Sequence, residues 1–303
     1  MRILSIGECM AELAPADIAG EFKLGFAGDT FNTAWYLAQL APEVDVSYYT
    51  AVGEDSISQD MRALMRTSGI DDSRILTIPD HTIGLYLISL NKGERSFAYW
   101  RGQSAARQMA NDLSVLEKAM GSADMIFYSG ITLAILDTEA RETFFQAISA
   151  ARADGKTIAF DPNLRPRLWA SADEMTDVIM QAARHCDIAL PSFEDENTWF
   201  ADKTPEDTAQ RYTSSGVSTV IVKNGGAPVL FVDADIRGEV AVAPVADLVD
   251  TTAAGDSFNA GVLAGIAAGD SLADSIGLAC QLARIVVQHK GALVPIPLNS
   301  LNP

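Results

Sequence analysis

The chain has 303 residues, with 40 Asp and Glu against 22 Lys and Arg, for a formal charge of −18. Its composition, 48% hydrophobic and 20% charged, supplies a large core and excludes wholesale disorder. The acidity argues against nucleic-acid and membrane-surface partners, so any anionic substrate must be held by a local cluster of donors.

Residues 3–6 are an apolar run ending at Gly7 and read as a buried strand. Residues 29–40 read as a helix, with Phe31, Ala34, Leu37, Ala38 and Ala41 at helical spacing and Asp29 or Thr30 as its cap. Residues 46–52 alternate like a strand, and 56–67 form a helix that stops before Ser68-Gly69. Strands over 125–128, 157–160 and 187–190 alternate with helices over 138–152, 172–184 and 205–214. Pro205 sits at a favourable first-turn position. A strand over 219–222, a hairpin over 229–232 and 238–242, and helices over 255–267 and 272–289 close the chain. The pattern predicts an α/β fold, a mostly parallel sheet covered on both faces.

Two stretches, about 14–26 and 82–101, break the rhythm. The second holds GLYLISL and RSFAYW, two alternating runs joined at Asn91-Lys92-Gly93, which signal a hairpin. Together they suggest a small β-sheet lid inserted into a single domain spanning 1–303. Exposed edges on such hairpins invite pairing between subunits, so a homodimer through the lid is expected.

Cys9, Cys186 and Cys280 form no CxxC and read as buried, reduced thiols; His81, His185 and His289 lack metal-ligand spacing. The start, MRILSIGECMAEL, carries Glu8 and Glu12 inside its apolar stretch, unlike a signal peptide, and no run of 18 apolar residues occurs. A soluble, cytoplasmic protein is expected.

Four segments carry candidate chemistry. In DTTAAGDSFNAG, residues 250–261, Ala253, Ala254 and Gly255 place N–H groups at a helix start, beside Asp256. That suits phosphoryl transfer: amides steady the moving charge and the carboxylate accepts a hydroxyl proton. A glycine turn with Asp256 as an N-terminal helix acid fits the spacing equally. In GFAGDTFNTA, residues 25–34, Gly28 permits close approach, while Asp29 and Asn32 share a first-turn face that suits polyol hydroxyls or simple capping. Tyr86, Tyr99, Trp100 and Arg101 suit an apolar wall with a guanidinium for a carboxylate, or plain cross-strand packing. FDPNLRPRLW, residues 160–169, follows a strand and offers Asp161, Asn163, Arg165 and Arg167 at the ligand-binding end of the sheet, or as a surface ion-pair loop. Lys223-Asn224-Gly225-Gly226 could touch a nucleotide or be a turn, and Glu194 and Glu196 could reach magnesium through water or favour a helix start.

GFAGDTFNTAWYLAQL and DTTAAGDSFNAG resemble, in order and separation, the two signature regions of the ribokinase-like (PfkB) carbohydrate kinases. The resemblance implies a three-layer α/β/α core with a β-sheet lid and ATP-dependent phosphorylation of a sugar hydroxyl. It places Asp256 as catalytic base and Ala253, Ala254 and Gly255 as the anion hole. SFAYWRGQSAAR and FDPNLRPRLW are most similar to the family's 2-keto-3-deoxygluconate kinases. That subgroup implies sugar-acid contacts from Gly28, Asn32, Tyr86, Tyr99, Arg101 and Arg165, and a 6-phosphate product of Entner–Doudoroff metabolism. Adenine is expected among Lys223, Asn224, Gly225 and Gly226 with Ala279 and Ala283, Mg²⁺ with the phosphates, and K⁺ beside Asp250 and Thr252. Departures are Ser58 and Ala27, each where the family has glycine, and Leu190-Pro191-Ser192, which lacks a common Asn. Competing readings are another kinase of the family (a fructokinase, 5-dehydro-2-deoxygluconokinase or ribokinase) and a non-catalytic sugar-binding protein. A Rossmann oxidoreductase is disfavoured, since no GxGxxG follows the first strand.

Overall fold

The computed structural model describes residues 1–297 apart from 17, 19, 92 and 93. The chain runs β1 (Arg2–Ile6), β2 (Met10–Pro15), β3 (Phe22–Ala27), α1 (Asp29–Leu40), β4 (Asp45–Tyr49), β5 (Ala51–Val52), α2 (Ser56–Thr67) and β6 (Leu76–Thr77). Next come β7 (Leu85–Asn91), β8 (Glu94–Trp100), α3 (Leu113–Gly121), β9 (Met125–Ser129), α4 (Gly130–Ala134), α5 (Thr138–Ala153), β10 (Thr157–Asp161) and α6 (Ala172–Ala183). Then follow β11 (Ile188–Ala189), α7 (Phe193–Trp199), α8 (Pro205–Ser214), β12 (Thr219–Val222), β13 (Val229–Asp233), β14 (Ile236–Val240), α9 (Ala254–Ala268) and α10 (Leu272–Val286).

The main sheet has eight strands in the order β14-β13-β12-β11-β10-β9-β1-β4. It is parallel except for the β13–β14 hairpin at one edge. Alternate side chains of each strand enter two separate cores. Leu4, Ile6, Ile126, Tyr128, Ile158 and Phe160 pack with Phe144 and Ile148 of α5 and Ile179 of α6. Ile3, Met125, Phe127 and Ala159 pack on the other face with Phe31 of α1, Val262 of α9 and Leu282 of α10. This is the expected three-layer α/β/α arrangement.

A four-stranded sheet, β3-β2-β7-β8, stands apart from the main one. Its strands come from the two stretches that break the strand–helix rhythm, except that β2 begins earlier than expected, at Met10. Its cross-strand row Tyr99–Tyr86–Glu12–Gly25 defines one face; Trp100, Leu85, Ala11 and Phe26 belong to the other. Of the hairpin turn at Asn91-Lys92-Gly93, Lys92 and Gly93 lie outside the described residues.

Some boundaries move for identifiable reasons. The strand expected over 46–52 is two: β4 ends the main sheet, and β5 turns to pair with β6 in a separate ribbon. Neither Asp29 nor Thr30 caps α1. Gly28 is its N-cap, in extended backbone, and a Cβ there would meet the Glu8 carbonyl at 2.1 Å. Ser58, where the family has glycine, is buried: it accepts from Gly53 N–H at 3.0 Å and donates to Asp55 at 3.0 Å, fixing the start of α2. α9 and α10 pack where Gly261 faces Ala279, and a Cβ at Gly261 would lie 2.5 Å from the Ala279 Cα. Gly261→Ala should therefore cost about 1–3 kcal/mol through overpacking. Thermal unfolding followed by circular dichroism should show a lower midpoint; an unchanged midpoint would mean the helix pair yields freely.

Candidate active site

Parallel strands deliver their carboxyl ends to one edge, where ligands bind in open α/β sheets. β10 ends there at Asp161, 4% exposed, and α9 starts there. α9 is entered through Ala253, whose backbone is left-handed (φ 59°) despite its methyl group. A left-handed residue followed by helical ones turns successive N–H groups toward one concavity, a nest for an anion. Of the three amides expected to be bare, that of Ala254 is engaged: it donates to the Thr251 carbonyl at 3.2 Å.

Asp256 lies in the first turn of α9 and accepts a 2.7 Å hydrogen bond from Asn32 Nδ2 of α1. Its backbone carbonyl accepts from Thr33 Oγ1 at 3.1 Å. The two motifs far apart in sequence thus meet directly. Burial, and next the charge of Asp29, push the Asp256 carboxyl up to about 8. Asp161 adds to this, while the Asn32 hydrogen bond and Lys223 oppose it. Burial raises Asp29 as well, against hydrogen bonds from Ser129, the Thr30 amide and Asn163.

Asp29 and Asn32 do not form one ligand-facing pair. Asp29 Oδ2 accepts from Asn163 Nδ2 at 2.7 Å, which ties the FDPNLRPRLW loop to α1, whereas Asn32 serves Asp256. Lys223 Nζ donates to Asp161 Oδ2 and to Asn259 Oδ1, both at 3.1 Å, and Asn259 Nδ2 donates to Asp161 at 2.6 Å. Asn259 escaped attention in the sequence, although its place three residues after Asp256 puts both on one helical face.

Neither arginine expected to clamp a carboxylate is a free cation. Arg101 pairs with buried Glu8, and its Nε is buried without a hydrogen-bond partner. Arg165 is exposed and lies 3.9 Å from Asp195. Tyr86 is buried and donates to Glu12, while Tyr99 is 51% exposed on the same face, its ring 5.8 Å from that of Tyr86. Ala253 packs against Met10, Ala27, Tyr86 and Ile88, so this face of the small sheet looks toward the start of α9. Glu8 and Glu12 are the residues missed here; two acids inside an apolar strand pattern were their signal.

A cavity of about 760 Å³ opens beside α9, lined by Lys223, Asn224, Gly225, Gly226, Ala283 and Arg284 among others. Ala279 is not in it: it is fully buried against Gly261, which corrects its expected adenine contact. Glu194 lines this cavity, but Glu196 is buried in ion and hydrogen bonds with Arg211 (2.7 Å) and Tyr212 (3.0 Å) and cannot reach magnesium. Asp250 accepts from Thr252 Oγ1 at 2.7 Å and from Gly291 N–H at 2.9 Å, bracing the loop before α9.

A carboxylate held beside helix-start amides, next to a nucleotide-sized cavity, suits transfer of a phosphoryl group to a hydroxyl, the work of a small-molecule kinase. The chain matches the pfkB family carbohydrate kinase over residues 1–299, and it belongs to that family. It is 40% identical to the 2-dehydro-3-deoxygluconokinase of Haemophilus influenzae, covering 97% of this chain and 95% of that protein. It is 37% identical to the Escherichia coli K12 protein of the same name, covering 97% of each. The crystal structure of a PfkB protein from Polaromonas sp. JS666 superposes with a TM-score of 0.85 at 29% identity, covering 94% of this chain and 95% of that one. A 2-dehydro-3-deoxygluconokinase from Thermotoga maritima, 20% identical, gives 0.84 over 99% and 98% of the two chains and bears on the fold alone.

The Asp256 carboxyl should titrate near 8 by carbon-13 NMR, its signal assigned by loss in Asp256→Asn. Asp29→Asn should lower that midpoint, because it removes a neighbouring negative charge. A wild-type midpoint in the ordinary carboxylate range would contradict the desolvation and charge crowding described for this carboxyl.

Proposed function

We propose that this chain phosphorylates the 6-hydroxyl of 2-keto-3-deoxygluconate (2-dehydro-3-deoxygluconate) using ATP, with Asp256 as the general base. The position of Asp256, half-buried at the start of α9 and hydrogen-bonded to Asn32, carries the chemistry. The near full-length likeness to relatives bearing the 2-dehydro-3-deoxygluconokinase name supports the choice of sugar acid.

In this reading the sugar lies between the Tyr86 and Tyr99 face of the small sheet and the start of α1, near Gly28, Asp29 and Asn32. The small sheet is its lid, which excludes water and limits idle ATP hydrolysis. Arg165 and Arg101 meet the sugar's carboxylate. Their present partners, Asp195 and Glu8, then act as second carboxylates sharing the same guanidinium groups. ATP occupies the cavity beside α9, its adenine among Asn224, Gly225, Gly226 and Ala283 and its phosphates toward Lys223 and the Gly255 amide. Among the described residues no cluster of three or more His, Cys, Asp or Glu could hold a metal, so Mg²⁺ fits here as an ion carried largely by phosphates and water. It would neutralise phosphate charge, with Glu194 the cavity carboxylate able to reach its waters. K⁺ beside Asp250 and Thr252 remains an expectation of the family resemblance alone.

Asp256 takes the hydroxyl proton as the oxygen attacks. A base raised to about 8 is largely protonated at neutral pH, so activity should climb through that region as the carboxylate forms. ADP release should be measured across keto-deoxy sugar acids and neutral sugars. 2-Keto-3-deoxygluconate is expected to give the highest kcat/KM. Asp256→Asn should fold normally yet lose ~10²–10³ or more of turnover. Near-normal turnover in that variant would remove Asp256 from the chemistry, and preference for a neutral hexose would overturn the sugar-acid assignment.

We also assign a homodimer to the outer face of the small sheet, where Phe22, Leu24 and Trp100 are 49%, 44% and 59% exposed on the side away from Tyr86. A second copy would bury this apolar patch. Light scattering after size exclusion should give a dimer that Leu24→Glu converts to monomer; a monomeric wild type would refute it.

A further inference from the structure

Four stretches join the small sheet to the core: residues 7–9 between β1 and β2, Gly28 between β3 and α1, 83–84 entering β7, and 101–104 leaving β8. Glu8 touches all of them. It lies in the first itself. Its backbone carbonyl sits against Gly28, where a Cβ would come within 2.1 Å. Its carboxylate sits against Gly84, where a Cβ would lie 2.8 Å from Oε1. Oε2 accepts from Arg101 Nη2, and Oε1 accepts from Ser104 Oγ at 2.5 Å. The Glu8 side chain is 1% exposed and that of Arg101 11%.

We infer that Glu8 is the positioning residue of the sugar site: a buried carboxylate that fixes the angle of the lid and aims Arg101, without touching the reacting atoms. The inference rests on the proposed sugar-acid reading of the site. The physical reason is the cost of an unpaired charge in a buried setting. Arg101 sits at the exit of β8, two residues beyond Tyr99 on the sugar-facing wall. With Nη2 committed to Glu8 and Nε unpartnered, the guanidinium has one orientation set by the core, not by the strand that carries it. Gly28 and Gly84 follow from the same packing. Each lacks a side chain where Glu8 occupies the space, so the bolt and its socket are encoded in separate segments.

The chemistry of the pair predicts a split in the kinetics. Loss of the Glu8 charge frees Arg101 and loosens the crossings, which acts on sugar binding. It leaves Lys223, the α9 amides and the cavity beside them in place. The test uses the full chain and whichever sugar the wild type phosphorylates best. Glu8→Gln, which keeps size and hydrogen bonding, should raise the sugar KM about tenfold, one tenfold step in binding. The ATP KM should stay within about twofold, since no contact to that cavity changes. Ser104→Ala, which removes one donor from the same carboxylate, should move the sugar KM the same way by less. Hydrogen exchange should quicken in 84–88 and 97–104 of both variants, with the main-sheet strands unchanged. An unchanged sugar KM with unchanged exchange in the small sheet would overturn the inference. So would sugar and ATP KM rising together with faster exchange throughout, the mark of a merely structural residue. A wild type that prefers a neutral sugar would instead defeat the sugar-acid reading, while the exchange result still decides the role of Glu8 as a lid bolt.

Discussion

The interaction on which the site depends is the crowding of half-buried Asp256 among like charges. Asp29 and Asp161 both raise it, and Lys223 is the cation that opposes them. Lys223 cannot neutralise all three, because it is already bound to Asp161 and Asn259. The protein therefore holds more negative charge at this edge than it compensates, and a proton is the simplest remedy. The arrangement is costly to the apo fold and useful to a proton acceptor, since a general base works best when its pKa lies near the operating pH. An arriving phosphate group would add more negative charge, which is why the left-handed Ala253 and the start of α9 matter: they are the part of the edge that favours anions.

Much of the architecture was legible because it rests on local rules. Bounds of α1, α2 and α8 fall where apolar spacing and turn residues put them, and the strands of the parallel sheet read as apolar runs. The misses share a cause. β2 and β3 carry Glu12, Lys23 and Gly25, and their pattern makes sense only when one face is known to turn toward the start of α9. α3, α4 and α7 are short, and their signals are weaker than those of long helices. The division of residues 46–52 between two sheets is a tertiary event that alternation cannot reveal.

The site was legible as segments but not as pairs. Sequence spacing placed Asp29 and Asn32 on one face, yet their partners come from opposite directions, Asn163 on one side and Asp256 on the other. Likewise Ala279 has the small side chain that an adenine wall needs, but the same smallness serves close helix packing against Gly261. Small residues near a ligand site are ambiguous until the neighbouring helix is placed.

The arginines carry this point furthest. A chain with charge −18 presents few cations, so an Arg near a strand end invites assignment to an anionic ligand. Arg101, Arg165 and Arg211 each face acidic side chains in the folded chain. These three guanidinium groups thus have internal claimants, and a ligand carboxylate would compete with them or share. Sharing is cheaper when the internal acid also orients the donor, because the guanidinium then needs no reordering on binding. Arg101 meets that condition and Arg165 does not: one is pinned by a buried acid at the base of the small sheet, the other stands half in solvent beside Asp195 at 3.9 Å. In the proposed reading, recognition of an acid group is therefore uneven: Arg101 is a donor already oriented by a buried acid, and Arg165 a largely exposed one that the ligand itself would have to order.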